Sequence, residues 1–213
     1  MILVKNVYLS YTKEYFTLNN INIEIPKGSK TVLFGEQDSG KSSLLRVIAG
    51  LEKPTKGNVY LNTIDIEKVN FKNDISLGYV GSSGVHLENK SVRKNLEYVL
   101  KIRKENKDVI LSKVANALIK YNMEAIADKK VRELSKYDKL RLSIARLALR
   151  KLDLLIIDDV FADLDAKEQS QIIEFINELT EFEDVTSVIA TSNKKLCERL
   201  GNNIIKIKFG SIE

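Results

Sequence analysis

The chain has one cysteine, one histidine and two prolines in 213 residues. Cys197 alone cannot close an internal disulfide or build a cysteine-based metal site. With His86 as the sole imidazole the usual zinc spacings are missing too, so redox and zinc chemistry are excluded. A membrane-spanning helix needs about 20 consecutive apolar residues, and no such run occurs. The start MILVKNVYLSYTKEY lacks the apolar stretch and small-residue cleavage site of a signal peptide, so a cytoplasmic protein is expected. No repeat, low-complexity tract or Pro/Ser-rich linker interrupts residues 1–213, which are read as a single domain large enough for one sizeable core and a subordinate lobe.

Acidic residues are scarce in one stretch. Residues 90–151 hold 18 Lys/Arg against 7 Asp/Glu, whereas the whole chain carries only +5, so the remainder is net acidic. Such asymmetry can mark a surface for nucleic acid or anionic lipid. Solvated helix faces are the simpler account, and nucleic acid is not expected as a partner.

What the chain does contain is an alternation of short β-type and helical runs. Residues 31–34 (TVLF) precede a glycine loop and residues 42–49 follow it; 75–80, a long helical middle, 154–157 and 187–190 come after. That order predicts an α/β fold with a mainly parallel sheet. Residues 2–8 and 21–25 alternate apolar with polar, as half-buried antiparallel strands do, and Pro26-Lys27-Gly28 supplies a turn, so a small antiparallel β layer is expected beside the sheet. Across 91–152 the strand signal fades. Apolar residues recur at helical spacing (Val109, Leu111, Val114, Leu118, and again over 140–149), which predicts an inserted helical lobe, approximately 88–151, between core segments 1–87 and 152–213.

The sharpest motif is Gly35-Glu36-Gln37-Asp38-Ser39-Gly40-Lys41-Ser42, with Ser43 next. It fits G-x-x-x-x-G-K-[ST] with an apolar strand before and a helical run after, a context that sets it apart from a mere glycine turn. Glycines stand where a side chain would keep phosphate oxygens from backbone N–H groups, and the following helix adds its positive end. Lys41 would neutralise the β and γ phosphates of ATP, and the Ser42 hydroxyl would ligate Mg²⁺. The partner element is Leu154-Leu155-Ile156-Ile157-Asp158-Asp159: four successive apolar residues suit a parallel strand buried on both faces, with Asp158 as the magnesium acid at its carboxyl end.

Further landmarks follow in order over nearly the whole chain, and together they resemble the ATPase subunits of ATP-binding cassette (ABC) systems. Tyr11 stands where the family carries an aromatic that stacks on adenine, although packing on a strand edge explains this residue equally well. Ala49-Gly50-Leu51 and Pro54-Thr55-Lys56-Gly57 resemble the stretch after the phosphate-loop helix. Leu134-Ser135 with Arg141-Leu142-Ser143-Ile144-Ala145-Arg146 looks like the signature segment and its helix. Leu164-Asp165 looks like the loop that communicates between paired subunits, and residues 204–212 with Phe209-Gly210 like the final strand and turn. A GTPase would need Asn-Lys-x-Asp, and Asn193-Lys194-Lys195-Leu196 lacks the aspartate; a small-molecule kinase would leave residues 134–146 unexplained.

The resemblance also exposes departures. The signature Leu-Ser-Gly-Gly-Gln is Leu134-Ser135-Lys136-Tyr137-Asp138, so two glycines that approach a partner subunit's γ-phosphate become bulky side chains. Ser82 stands for the lid glutamine and Ser192 for the switch histidine. Asp159 replaces the glutamate base, one methylene shorter, and Asp38 replaces a glycine inside the loop. These changes imply that ATP and Mg²⁺ are bound while hydrolysis is impaired. The resemblance implies a dimer with an identical or different ATP-binding subunit. It also implies a separate transmembrane protein engaging residues 82–87, and a location at the inner face of the membrane. A non-transport regulatory or nucleic-acid-associated ABC protein is the alternative. His86 is expected on an exposed loop rather than as a displaced switch residue, and Cys197 in a core.

Overall fold

The computed structural model describes residues 1–12, 15–71, 74–81, 84–181 and 184–213. The early alternation becomes two antiparallel strands, β1 (Ile2–Leu9) and β2 (Leu18–Ile25). Ile2, Val4, Val7 and Leu9 face inward on β1. The step from Val4 to Val7 breaks strict alternation, and a register shift there absorbs it, with Asn6 in the left-handed region (φ 47°). Asparagine tolerates that conformation, and such a bulge keeps the apolar set on the buried face. The order continues with β3 (Lys30–Phe34), α1 (Lys41–Ile48), β4 (Lys56–Leu61), β5 (Ile64–Asp65), β6 (Leu77–Gly81), α2 (Val92–Ile102), α3 (Lys107–Lys120) and α4 (Lys136–Ala148). It closes with β7 (Leu154–Asp158), α5 (Ala166–Glu181), β8 (Thr186–Thr191), α6 (Lys194–Leu200), β9 (Asn203–Lys208) and β10 (Ser211–Ile212).

These elements form two compact units. The first comprises Met1–Gly81, Leu152–Ala162 and Thr180–Glu213; the second comprises Ser82–Lys151 and Asp163–Leu179. The first holds an antiparallel sheet in the order β2-β1-β4-β5 and a six-stranded sheet in the order β10-β9-β3-β8-β7-β6. From β9 to β6 the second sheet is parallel, and β10 pairs antiparallel at its edge. The apolar run of β7 is buried throughout and so is all of β8, as expected for strands covered on both faces. Helix α1 packs on β7, β8 and β1, burying Leu44, Leu45, Val47 and Ile48. Removing each such side chain from water is worth roughly 1.5–3 kcal/mol, so the phosphate-loop helix is firmly seated.

The second unit is helical. Ser91 caps α2 by accepting from Lys94 N, and Asp165 opens α5 by accepting from the amides of Lys167 and Glu168 while its own N–H donates to Glu168, a capping box. The face of α3 differs from the sequence reading: Ile110, Val114, Ala117 and Leu118 are buried, while Leu111 is 57% exposed. A stripe through 110, 114, 117 and 118 follows the helical period, whereas 109 and 111 lie on either side of it. Tyr121 and Phe175 meet edge to face at 4.9 Å. Among the described residues no helix is long and apolar enough to cross a membrane.

Candidate functional site

The glycine loop lies between β3 and α1, at the carboxyl ends of parallel strands. Its backbone leaves no room for side chains at the two motif glycines: a Cβ on Gly35 would fall 2.3 Å from Ile207 O, and one on Gly40 would fall 2.8 Å from Thr17 O, with Gly40 at φ 102°. Glu36, Gln37 and Asp38 form the exposed turn, and Asp38 takes the left-handed conformation (φ 60°) that aspartate, like glycine, accepts. Helix α1 begins at Gly40 without a side-chain cap, so its first-turn amides and the positive end of its dipole are left for an anion.

Lys41 is buried, and its Nζ donates to Gly35 O at 2.9 Å, to Glu36 O at 2.6 Å and to Ser39 Oγ at 3.4 Å. Burial lowers its pKa, and the carboxylates of Asp159, Asp158 and Asp38 oppose that shift. Ser42 Oγ donates to Asp158 Oδ1 at 2.7 Å, and Tyr79 Oη donates to Asp158 Oδ2 at 2.9 Å. The sequence pairs 116 positions apart thus converge, because β7 sits two strands from β3 while α1 packs back over β7. Tyr79 is a member of this cluster that the motif reading missed. Its only signal is a phenol on the strand beside β7, and burial, then Asp158, raises its pKa strongly. Mg²⁺ takes few protein ligands and fills its octahedron with waters and phosphate oxygens. The Ser42–Asp158 pair beside an uncapped helix end and a lysine fits that demand.

Asp159 follows in a left-handed turn (φ 44°), half-buried, with its N–H on Ala190 O at 3.2 Å. Ser192 is exposed, just past the end of β8. Ser82 lies outside the described residues. Tyr11 is 61% exposed, and its hydroxyl is held: it donates to Glu52 Oε2 at 2.8 Å and lies 3.3 Å from Ser43 Oγ.

In the second unit, each polar residue of the signature segment is engaged at home. Ser135 Oγ accepts from Asp138 N at 3.1 Å, Lys136 pairs with Asp163 at 2.7 Å, Tyr137 donates to Gln171, and Asp138 pairs with Arg141. Leu134 precedes the cap in an extended conformation. The expectation of an exposed His86 is overturned. The ring is half-buried, with Nε2 2.9 Å from Ser143 Oγ and Nδ1 buried and without a hydrogen-bond partner among the described residues, because α4, 57 residues onward, covers the loop. Cys197 is buried, as expected.

Burial, then Arg146, holds the His86 pKa below its ordinary 6.5, with Glu88 and two backbone groups opposing. The neutral ring is the folded form. Below pH 6.5 the unfolded chain takes up a proton that the folded chain refuses, so stability falls with pH until the lowered folded pKa is reached. His86 is the only histidine, so His86→Gln should flatten the dependence of the urea midpoint on pH between about 5 and 7, where His changes charge. An unchanged slope would refute this account.

The family profile for ABC transporters matches residues 18–162. The sn-glycerol-3-phosphate import ATP-binding protein UgpC of Bartonella bacilliformis is 31% identical over 210 residues, 98% of this chain and 60% of that protein. The sulfate/thiosulfate import ATP-binding protein CysA of Synechocystis is 28% identical over 212 residues, 100% of this chain and 59% of that protein. The chain therefore spans about three fifths of the length of these relatives. Among solved structures, the ATP-binding cassette MJ0796, a dimer in a post-hydrolysis state bound to ADP and Pi, aligns over 100% of this chain and 97% of that one, with a TM-score of 0.86 and 26% identity. For cbiO1 of Clostridium perfringens, part of the ABC transporter complex cbiONQ, the TM-score is 0.84 at 26% identity, covering 100% and 86%.

Proposed function

The chain belongs to the ABC transporter family, and from that premise we propose that it is an ATP-binding subunit that works with a separate membrane protein at the inner face of the membrane. The observation that carries this reading is the convergence of Lys41, Ser42 and Asp158 at the uncapped start of α1. There Lys41 would exchange loop carbonyls for the β and γ phosphates of ATP, and Ser42 and Asp158 would hold Mg²⁺. Bound Mg·ATP supplies a phosphoanhydride whose hydrolysis can be coupled to movement of a partner.

Hydrolysis in this chain is slow on the same reading. Asp159 is one methylene shorter than the glutamate it replaces, and a general base must come within about 2.6–3.2 Å of the water it activates. Ser192 cannot supply an imidazole's proton chemistry. The signature segment has no glycine to let a partner's phosphate approach, and Ser135, Lys136, Tyr137 and Asp138 all carry bonds of their own. Gly35, Gly40, Lys41, Ser42, Ser43 and Asp158 retain the binding chemistry.

Two observations favour a membrane partner over nucleic acid. Val85 is 89% exposed where its carbonyl accepts from Arg146, and Tyr98 and Ile102 on α2 are exposed too, so this unit presents large apolar side chains to solvent. The basic stretch is laced with pairs, among them Lys101–Glu97, Lys113–Glu105, Lys120–Glu178 and Lys139–Glu88, which reduces the field left for phosphates. Mg·ATP binding and turnover should be measured on one purified sample. Saturable binding with turnover near background is expected. No binding would overturn the reading, brisk turnover would overturn its hydrolytic part, and tight, salt-sensitive capture of DNA or RNA would favour the regulatory alternative.

A further inference from the structure

Tyr11 presents an unusual division. Its ring lies 61% exposed on the loop after β1, yet its hydroxyl is drawn into a built network. The phenol donates to Glu52 Oε2 at 2.8 Å, and Arg46 Nε reaches the same oxygen at 3.2 Å. Ser43 Oγ lies 3.3 Å from the phenol oxygen. The Glu52 side chain is only 16% exposed, while that of Arg46 is 54% exposed. Ser43 and Arg46 both belong to α1, the helix that begins with Lys41 and Ser42.

We propose that Glu52 is a positioning residue for nucleotide binding: it ties the Tyr11 ring to the phosphate-loop helix and so fixes the distance between a nucleobase platform and the phosphate cradle. This rests on the reading of Tyr11 as the surface on which a base stacks. A lone aromatic on a loop samples several rotamers, and ordering it on binding costs affinity. The hydroxyl–carboxylate bond removes that cost in advance, and the Arg46 pair orients the carboxylate. A phenol is protonated at neutral pH in any case, and burial raises its pKa further, with Ser43 opposing and Glu52 adding to the rise, so the hydroxyl is the donor to the carboxylate. Stacking is indifferent to which base is present, so the tether sets where a base sits rather than which base is chosen.

The test compares Mg·ATP with inorganic tripolyphosphate, which fills the phosphate cradle but has no base, in direct binding assays on the wild-type chain, Tyr11→Phe, Glu52→Ala and the double variant. Tyr11→Phe keeps the ring and removes the hydroxyl, and with it the bond to Glu52 and the longer contact with Ser43. The expected result is that each single variant weakens Mg·ATP by about three- to tenfold, the size of one lost hydrogen bond. The double variant should be no worse than the stronger single effect, because both changes cut one link. Tripolyphosphate affinity should hold throughout. An undiminished ATP affinity in Tyr11→Phe would overturn the tether, as would fully additive losses. A parallel loss of tripolyphosphate would overturn it too, by showing that Glu52 merely supports the loop. Tyr11→Ala separates the underlying reading: if it binds ATP like the wild type, the ring is no base platform.

Discussion

Replacing Lys41 with alanine should weaken Mg·ATP binding by about a hundredfold or more, a figure that follows from losing two charge-assisted hydrogen bonds at about 1.5–3 kcal/mol each. The lysine is the only cation inside the loop, whereas Asp38, Asp158 and Asp159 all press on it electrostatically. Removing it leaves three carboxylates near a site meant for a polyanion, so charge repulsion adds to the lost bonds. The variant also removes the lysine's bonds to Gly35 O and Glu36 O, leaving Glu36 O with the longer bond from Ser39 N at 3.3 Å. A modest loss of stability is therefore expected, and unfolding must be followed beside binding. Lys41→Arg tests geometry apart from charge: its planar fork is longer and bulkier than a compact ammonium, so it should recover only part of the affinity. A Lys41→Ala protein that is folded and binds Mg·ATP within threefold of the wild type would sink the assignment of the site.

Arg141→Ala should lower the unfolding free energy by about 3 kcal/mol, in the range for a charged group whose buried partners are left unpaired. The side chain is almost fully buried. Its Nη1 donates to Tyr121 O at 3.2 Å and Asn122 O at 2.7 Å, so it satisfies carbonyls at the end of α3, and its Nη2 pairs with Asp138. The guanidinium also lies 4.7 Å from the Tyr137 ring centre. One residue thus ties the signature helix to its neighbour and to its own first turn. Arg141→Lys keeps the charge but has no fork to divide between the carbonyls and the carboxylate, so it should restore less than half of the loss. Urea titration checks both variants; a change within about 0.5 kcal/mol, typical of surface substitutions, would show that the network is replaceable.

The parts of the molecule that could be read from the sequence are those whose physics is local. The runs at 31–34, 154–157 and 187–190 became strands because three or four consecutive apolar residues in each suit a sheet covered on both faces, and the glycine motif announced itself in eight consecutive residues. Strand β4 was not flagged: it opens Lys-Gly-Asn, a poor strand sequence, and is recruited by pairing with β1. Contacts across long separations were also hidden. Glu52 lies 41 residues from Tyr11, Ser143 lies 57 from His86, and Tyr79 lies 79 from Asp158, and none of these pairs leaves a trace in periodicity or spacing. Lys136, Tyr137 and Asp138 could be seen to depart from pattern, but that each already has a partner within its own unit required coordinates.

The bonds that Lys41 makes to its own loop have a consequence for selectivity. A cradle that already satisfies its central cation does not fold around a ligand; it trades one set of bonds for another. The free energy of capture is then a difference, and the loop's self-contacts set a threshold that a newcomer must exceed. A single sulfate or orthophosphate would offer few bonds in exchange for the carbonyls it displaces, whereas a triphosphate chain would have the helix amides, the ammonium and the Ser42 hydroxyl to engage. Self-closure of this kind is expected to favour a long polyanion over the small anions of the cell, a preference that competition of sulfate and orthophosphate with Mg·ATP would measure.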